Sequence, residues 1–383
     1  MMLQQMIFLV GTFLLISYTG LLLYYLKAWL QAPWFYPVGP LPLSLPYLSV
    51  IIAARNEEEH LPGLLQDLLN QSFPAKNFEV IVVDDHSTDL TADIIKKIAS
   101  AKYMALQDYM KPGETTAFKK KAIEVAIGQA KGELIITTDA DCRVPPNWLE
   151  TIARFYRQTG ARFIVMPVRM EAGRSALGIF QSLDFMVLQG ITGAAVYKKM
   201  HSMCNGANLA YTKNAFVQAG GFTGINHIAS GDDMLLMHKI YTSDPGAVHY
   251  LKSQQVMVNT RAEKTMAGFL KQRIRWASKT SHYQDKSIFL VLILVYVFNL
   301  YLLLLFIYLP LQGSWFLWKA GLSFVAFKTV IECIFLYPIA GFFNQKKLLW
   351  LFPLAQPFHI CYTIIAGFLG KFGKYQWKGR QLK

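Results

Sequence analysis

Apolar positions along the chain fall into two patterns. In the first they fill long blocks at 6–26, 288–311, 317–343 and 348–370. Blocks of that length can cross a bilayer as helices. In the second, apolar runs of six to eight residues lie at 47–54, 78–83, 133–138 and 162–167, and these read as strands. Between them the spacing turns helical. Leu61, Leu64, Leu65, Leu68 and Leu69 recur at three and four, predicting one buried helix face. Asp89 is placed to cap a following helix with Ile94, Ile95 and Ile98 inward, and Lys119 to Ala130 predicts another helix. Strands alternating with helices predict an α/β fold with a largely parallel sheet. Runs apolar on both faces fit a sheet covered by helices.

The long blocks set the expected organisation. The first follows MMLQQ, which has no Lys or Arg, and precedes Lys27; no Ala-x-Ala site is evident. It reads as a signal anchor with its C-terminal side in the cytoplasm, rather than a cleaved signal. Block 317–343 contains Lys319, Lys328 and Glu332. Charges inside a span face protein or water, so Lys328 and Glu332, four residues apart, are expected to point inward and pair. The tail, 371–383, carries Lys371, Lys374, Lys378, Arg380 and Lys383, which favours the cytoplasm. Three full crossings after a cytoplasmic domain would put that tail outside. One block is therefore expected to be re-entrant or interfacial, and 348–370, with Pro353, Pro357 and His359, is the candidate. The expected division is an anchor at 1–30, a cytosolic α/β domain at 45–285, membrane segments at 286–370 and the basic tail. Segment 176–200 has two readings, core packing or a membrane-surface helix, with Phe180, Phe185, Met186 and Val187 before Lys198 and Lys199.

Composition sharpens this picture. Hydrophobic residues make up 53% and charged residues 16% of 383 residues, which excludes a disordered chain. Lys+Arg 38 against Asp+Glu 24 leaves a net charge of +14. The basic residues are dispersed and no recognition motif accompanies them, so nucleic acid is not an expected partner. The four cysteines, Cys142, Cys204, Cys333 and Cys361, form no CxxC pair and read as reduced thiols, not a zinc site.

Candidate chemistry sits where the strands end. Ligands of parallel α/β sheets bind beyond the carboxyl ends of strands. The first strand leads to Arg55, Asn56 and Glu57, the second to Asp84 and Asp85, the third to Asp139 and Asp141. Two carboxylates one residue apart suit Mg2+ or Mn2+, which favour oxygen ligands and bridge to phosphates. Asp84 and Asp85 can accept from a base or ribose, or merely shape a turn. In Ser230-Gly231-Asp232-Asp233, before an apolar helical pattern, one Asp is either a helix cap or a general base. Gln272-Arg273-Ile274-Arg275-Trp276 lies in a basic segment suited to phosphate or to a lipid surface. Neither a P-loop nor a GxGxxG stretch is present, which disfavours kinases and dehydrogenases.

In this order, SVIIAARNEEEHLPGLL, VIVVDDHSTDLT, KKKAIEVAI, IITTDADCRVPPNWL, NGANLAYTKNAFVQAGGF, GDDMLL and QRIRW resemble the membrane-bound family 2 glycosyltransferases of GT-A fold. The resemblance runs from about 48 to 276, and Trp377-Lys378-Gly379-Arg380 is similar to the tail of lipid-glycosylating members such as ceramide glucosyltransferase. It implies a hexosyltransferase that moves a sugar from a UDP-sugar to a membrane lipid, at a bacterial inner membrane with the catalytic domain in the cytoplasm. It assigns Ala54, Arg55, Asn56, Glu57, Asp84 and Asp85 to the uridine, and Lys119 or Lys120 to the nucleotide. Asp139 and Asp141 go to the donor and its Mg2+ or Mn2+. Asp233 becomes the base beside Asp232. Gln272, Arg275 and Trp276 become the acceptor side, with Arg275 meeting the diphosphate. The Asn205–Asn208 stretch becomes the acceptor loop. The pair is Asp-Asp where lipid enzymes often have Glu-Asp, which bears on Asp232. A processive polysaccharide synthase of the cellulose, hyaluronan or chitin type shares QxxRW and is the alternative.

Overall fold

The computed structural model describes residues 2–41, 44–111, 117–200, 203–228, 230–278, 285–372, 376–377 and 380–381. The chain packs as two compact units. One comprises residues 32–171 and 195–261, the other 1–31, 172–194 and 262–383.

Among its described residues the first unit holds nine strands, the four predicted ones included. They are β1 (Leu48–Ala54), β2 (Phe78–Asp84), β3 (Ala101–Ala105), β4 (Leu134–Asp139), β5 (Phe163–Val165), β6 (Val168–Glu171), β7 (Leu209–Thr212), β8 (Val248–Tyr250) and β9 (Val258–Arg261). Seven build one sheet in the order β3-β2-β1-β4-β7-β5-β8, while β6 and β9 pair separately. The β3-β2-β1-β4 half is parallel throughout, whereas β7 runs antiparallel to both β4 and β5. Sequence reading missed β3, β6, β7, β8 and β9. Of these, β3 is an edge strand buried only toward its end, and the others have just three or four residues each.

Short helices cover this sheet. They include Leu61–Leu69, Thr91–Lys96, Phe118–Gln129, Trp148–Thr159 and Met234–Ser243. Leu61, Leu64, Leu65 and Leu68 are buried as their spacing predicts, but Leu69 is exposed. The cap falls at Leu90, while the Asp89 carboxylate accepts from Thr91 and Glu58 N–H.

The second unit is built from α-helices, labelled here α1 (Met2–Gln31), α2 (Ala176–Tyr197, whose last three residues pack with the first unit), α3 (Met266–Ser278), α4 (Lys286–Gln312), α5 (Trp315–Phe342) and α6 (Phe352–Phe372). All but α3 are long and apolar enough to cross a membrane. The packing divides the chain differently from the boundaries expected above, because α2 and α3 join the apolar helices. In α2, 78% of the apolar window is buried, against 22–33% in the other four; Phe180, Phe185 and Met186 are inside, which is the core-packing reading. Gly190 of α2 meets Ile339 and Phe335 of α5 so closely that a Cβ has no room. Block 348–370 closes a 3-10 turn at Leu351 and continues from Phe352 as one α-helix through Pro357, without folding back on itself. Most of the basic tail lies outside the described residues.

The expected charge pair in α5 forms. Lys328 Nζ lies 2.7 Å from Glu332 Oε1, with both side chains buried. Tyr18 of α1 donates to the same oxygen at 2.5 Å. Gln356 of α6 accepts from Lys328 at 2.8 Å and donates to Glu332 Oε2 at 2.5 Å. A charge pair in an apolar bundle is tolerated only when its remaining hydrogen-bonding capacity is met, and helices α1 and α6 supply those partners.

Candidate active site

Register brings the strand ends together. Ala54 at the end of β1 is level with Asp84 of β2, and Ala53 is level with Asp139 of β4. The loops leaving β1 and β2 are stitched to each other. Arg55 donates to the carbonyls of Asp85 at 2.8 Å and His86 at 3.1 Å. Asn56 adopts a left-handed φ of 52° that Asn tolerates. There its N–H donates to Ser87 Oγ and its Oδ1 accepts from Thr88 N–H. Glu57 N–H donates to Thr91 Oγ1 at 2.8 Å. Asp84 accepts from Ser87 N–H at 3.2 Å, and Asp85 sits 3.0 Å from His86 Nδ1. The residues assigned to the uridine thus sit on one hydrogen-bonded pair of loops, in which Ala54, Asp84 and Asp85 are buried.

A second group assembles around Lys119. Its ammonium lies 2.7 Å from Asp139 and 3.1 Å from Asp232. Burial works against its charge, yet Asp139, Asp232 and Asp233 together hold its pKa well above the ordinary lysine value. Gly206 comes close as well. A Cβ there would stand 3.2 Å from Asp232 Oδ2 and 3.5 Å from both Asp233 Cβ and Lys119 Nζ. Its N–H donates to Asp233 Oδ2 at 3.1 Å, while Asp233 Oδ1 caps the helix by accepting from Met234 N–H at 2.7 Å. The helix-cap reading of the acidic pair is therefore realised by Asp233 itself, which leaves it an oriented carboxylate.

The two adjoining lysines have different surroundings. Lys120 is 1% exposed and donates to the carbonyls of Ile225, Ile228 and Ser230 at 2.7–2.9 Å. It braces the loop entering Gly231, whose φ of +82° favours glycine, and so helps set Asp232 and Asp233. In the Asn205–Asn208 stretch, Asn208 is fully buried, accepting from Trp148 and donating to Pro167 and Val256 carbonyls. It anchors the stretch, and Gly206 is the residue that reaches the acids.

Asp139 is partly exposed, and Asp141 accepts from the Cys142 thiol at 3.7 Å. Burial, followed by the charges of Asp141 and Asp139, pushes the Cys142 thiol far up. All-oxygen donors in so negative a field fit a hard divalent cation. Among the described residues no group of three or more His, Cys, Asp or Glu is placed to hold an ion, so the remaining positions would fall to water or phosphate oxygens. All four cysteines are free.

Gln272, Arg275 and Trp276 lie on α3, in the other unit. Sequence reading gave no role to Arg273 between them, nor to Asp184. Yet Arg273 is 4% exposed and ion-paired with Asp184 at 2.8 Å. The available signal was a lone acid in the otherwise uncharged run 176–197.

Comparison with known proteins bears on this arrangement. A sequence profile described as Glycosyl transferase family 2 matches residues 49–217, and one described as Glycosyl transferase family group 2 matches 134–368. Beta-monoglucosyldiacylglycerol synthase of Nostoc sp. is 31% identical over 115 residues, 30% of this chain and 24% of that protein. Glycosyltransferase AglE of Haloferax volcanii is 27% identical over 200 residues, 50% of this chain and 60% of AglE. The chain thus matches only about a quarter of the first relative's length and under two thirds of the second's. The structure of mannosyltransferase PcManGT from Pyrobaculum calidifontis, in complex with GDP-Man and Mn2+, aligns with a TM-score of 0.62 at 19% identity, covering 94% of this chain and 99% of that one. At that identity the likeness speaks for the fold, and the expected GT-A architecture is borne out. Since the second profile runs from β4 through most of α6, well over half of the chain, the protein belongs to the family 2 glycosyltransferases.

Proposed function

We propose that the protein moves one sugar from a UDP-sugar to the hydroxyl of a membrane lipid, with inversion and without processive extension. The observation that carries this reading is the Lys119 link, which joins the Asp139 carboxylate at the end of β4 to the acidic pair Asp232-Asp233. A donor-side carboxylate and an acidic pair held this close suit a displacement in which donor and acceptor meet.

In the proposed reaction Asp233 takes the proton of the acceptor hydroxyl as its oxygen bonds to the anomeric carbon. The bond from that carbon to the diphosphate breaks on the opposite face, and the diphosphate leaves with the electron pair. The fixed orientation of Asp233, held by Gly206 and Met234 N–H groups, lowers the cost of aligning it. Mg2+ or Mn2+ held by Asp139 and Asp141 would supply counter-charge to the leaving group. Ala54 to Glu57 with Asp84 and Asp85 form the uridine end, and Lys119 serves the nucleotide. Gln272, Arg275 and Trp276 serve the acceptor side and the diphosphate, as the family resemblance assigns them. The apolar helices fit an acceptor drawn from the bilayer. Lys27, just after the apolar run of α1, favours the cytoplasm for the catalytic residues, and a bacterial inner membrane is the location the family resemblance implies.

The test is a screen of the purified protein in nanodiscs, with UDP-sugars offered against membrane lipid extracts and products read by mass spectrometry. One added hexose on a lipid is the expected result. A ladder of products would replace this reading with the processive one, and no glycosylated lipid with any donor would sink both.

A further inference from the structure

The QRIRW segment is conspicuous for a residue outside its motif positions. Arg273 is buried in the helical unit and touches two of the three motif side chains. Its Nη1 donates to Gln272 Oε1 at 3.1 Å, and its guanidinium lies over the Trp276 ring at 4.2 Å from the centroid. Phe269 offers a second ring at 5.0 Å. Arginine favours this setting because its planar, weakly hydrated cation stacks on aromatic faces.

What holds Arg273 comes from other helices. Asp184 of α2 pairs with its Nη2 at 2.8 Å, and both side chains are 4% exposed. The other Asp184 oxygen accepts from Tyr362 of α6 and lies 3.9 Å from His359 Nε2. Phe185, next to Asp184, packs against Trp276 with ring centroids 5.9 Å apart. Phe180, Phe269, Tyr362 and Ala366 close an apolar shell alongside. Helices α3 and α6 also approach so closely at Ala277 and Gly370 that a Cβ on Gly370 would lie 2.5 Å from that of Ala277.

We infer that Asp184 is a positioning residue for the QxxRW segment, acting through Arg273 to set the orientations of Gln272 and Trp276. A buried ion pair is seldom a net source of stability compared with apolar packing. Its effect is positional, because the opposite charges hold the guanidinium at one distance from Asp184, although the Nη2–Oδ2 contact is not aligned as a hydrogen bond. Here that geometry is passed to the motif, since the same guanidinium bonds Gln272 and stacks on Trp276. Tyr362 ties the pair to the last apolar helix, so the segment is oriented by the membrane-type helices themselves. This inference rests on the proposed function only for its effect on turnover.

The test uses the full chain in nanodiscs with its eight tryptophans replaced by 5-fluorotryptophan. The Trp276 fluorine resonance is identified by its loss in Trp276→Phe. In Asp184→Asn that resonance should shift or broaden while the other seven hold. Lipid glycosylation should lose about 10²-fold in kcat, the size expected when reacting groups are misplaced by about 1 Å, with the KM for the UDP-sugar unchanged. Asp184→Glu should recover part of the loss. Asp184→Asn combined with Arg273→Gln should be no worse than Asp184→Asn alone, because both act on one interaction. An unmoved Trp276 resonance in folded Asp184→Asn, or fully additive losses, would overturn the inference. So would displacement of all eight resonances with parallel loss of donor binding, which marks a merely structural role. If Asp184→Asn does not fold, Asp184→Glu, which keeps the charge but displaces the carboxylate by one methylene, carries the same readouts at smaller size. If the wild-type protein glycosylates no lipid, the proposed function fails, and the fluorine signal still decides whether Asp184 positions Trp276.

Discussion

Lys119 stands 2.7 Å from Asp139, and the same ammonium reaches Asp232 at 3.1 Å. One cation thereby separates carboxylates that would repel each other. Lys119→Met should leave that repulsion in place and reduce sugar transfer by about 10²-fold, comparable to losing one preorganised charge-stabilising group. Lys119→Arg should retain part of the activity. Steady-state turnover with the best UDP-sugar, set beside melting curves, checks both.

Asp233→Asn is expected to lose transfer by about 10²–10⁴-fold, as removal of a general base does. It should also lower stability by about 1–3 kcal/mol, because the new amide faces a backbone N–H where an acceptor is needed. UDP binding should persist. Near-wild-type turnover would remove Asp233 from the role of base.

The carboxylate two residues beyond Asp139, at the end of β4, has a separable role. Asp141→Ala should weaken UDP binding in the presence of Mn2+ and alter it little in the presence of chelator. Calorimetric titration with and without Mn2+ distinguishes these, and identical affinity with Mn2+ would count against a metal at Asp139 and Asp141.

Within the helical bundle, Lys328→Met or Glu332→Gln alone should destabilise by roughly 3–5 kcal/mol, since each leaves a buried group without its partner. Replacing both with Met should recover most of that loss. Unfolding in detergent, followed by circular dichroism, measures the comparison. Additive losses in the double variant would contradict the pairing.

Lys252 supplies a pH dependence outside the bundle. It is 2% exposed, donates to Ala32 O at 3.2 Å, and burial pulls its pKa down from 10.5 to about 8. Between those two values the unfolded chain binds the proton and the folded chain does not. Stability therefore rises with pH across that window, by about 1.4 kcal/mol per unit from this group. Lys252→Met should flatten the slope and stabilise the protein most below pH 8. Thermal melts at several pH values read it directly.

Much of the fold is legible in residue patterns. The parallel strands β1, β2 and β4 are continuous apolar runs, and their burial on both faces leaves no other use for such sequences. The strand-end acids were legible for the same reason, because chain direction dictates which end of a parallel strand carries them. By contrast, β7 was hidden. Four residues carry too little periodicity to announce a strand, and its antiparallel insertion between β4 and β5 depends on partners distant in sequence.

The side-chain pairings followed the same rule. Lys328 and Glu332 were paired from sequence, since four residues on a helix bring two side chains to one face. Lys119 and Lys120 look equivalent in sequence, yet one meets two carboxylates and the other three carbonyls. Adjacent helical positions diverge by about 100°, and only the packing around each face decides what it meets.

What the sequence by itself determined is local and periodic: which segments are strands or long apolar helices, which strand ends bear acids, and which motifs place the chain in its family. What only the tertiary structure decided is which distant residues share a contact. Asp184 and Arg273 are 89 positions apart in sequence and 2.8 Å apart in space. No periodicity links them, because their meeting depends on how α2, α3 and α6 pack rather than on any one helix.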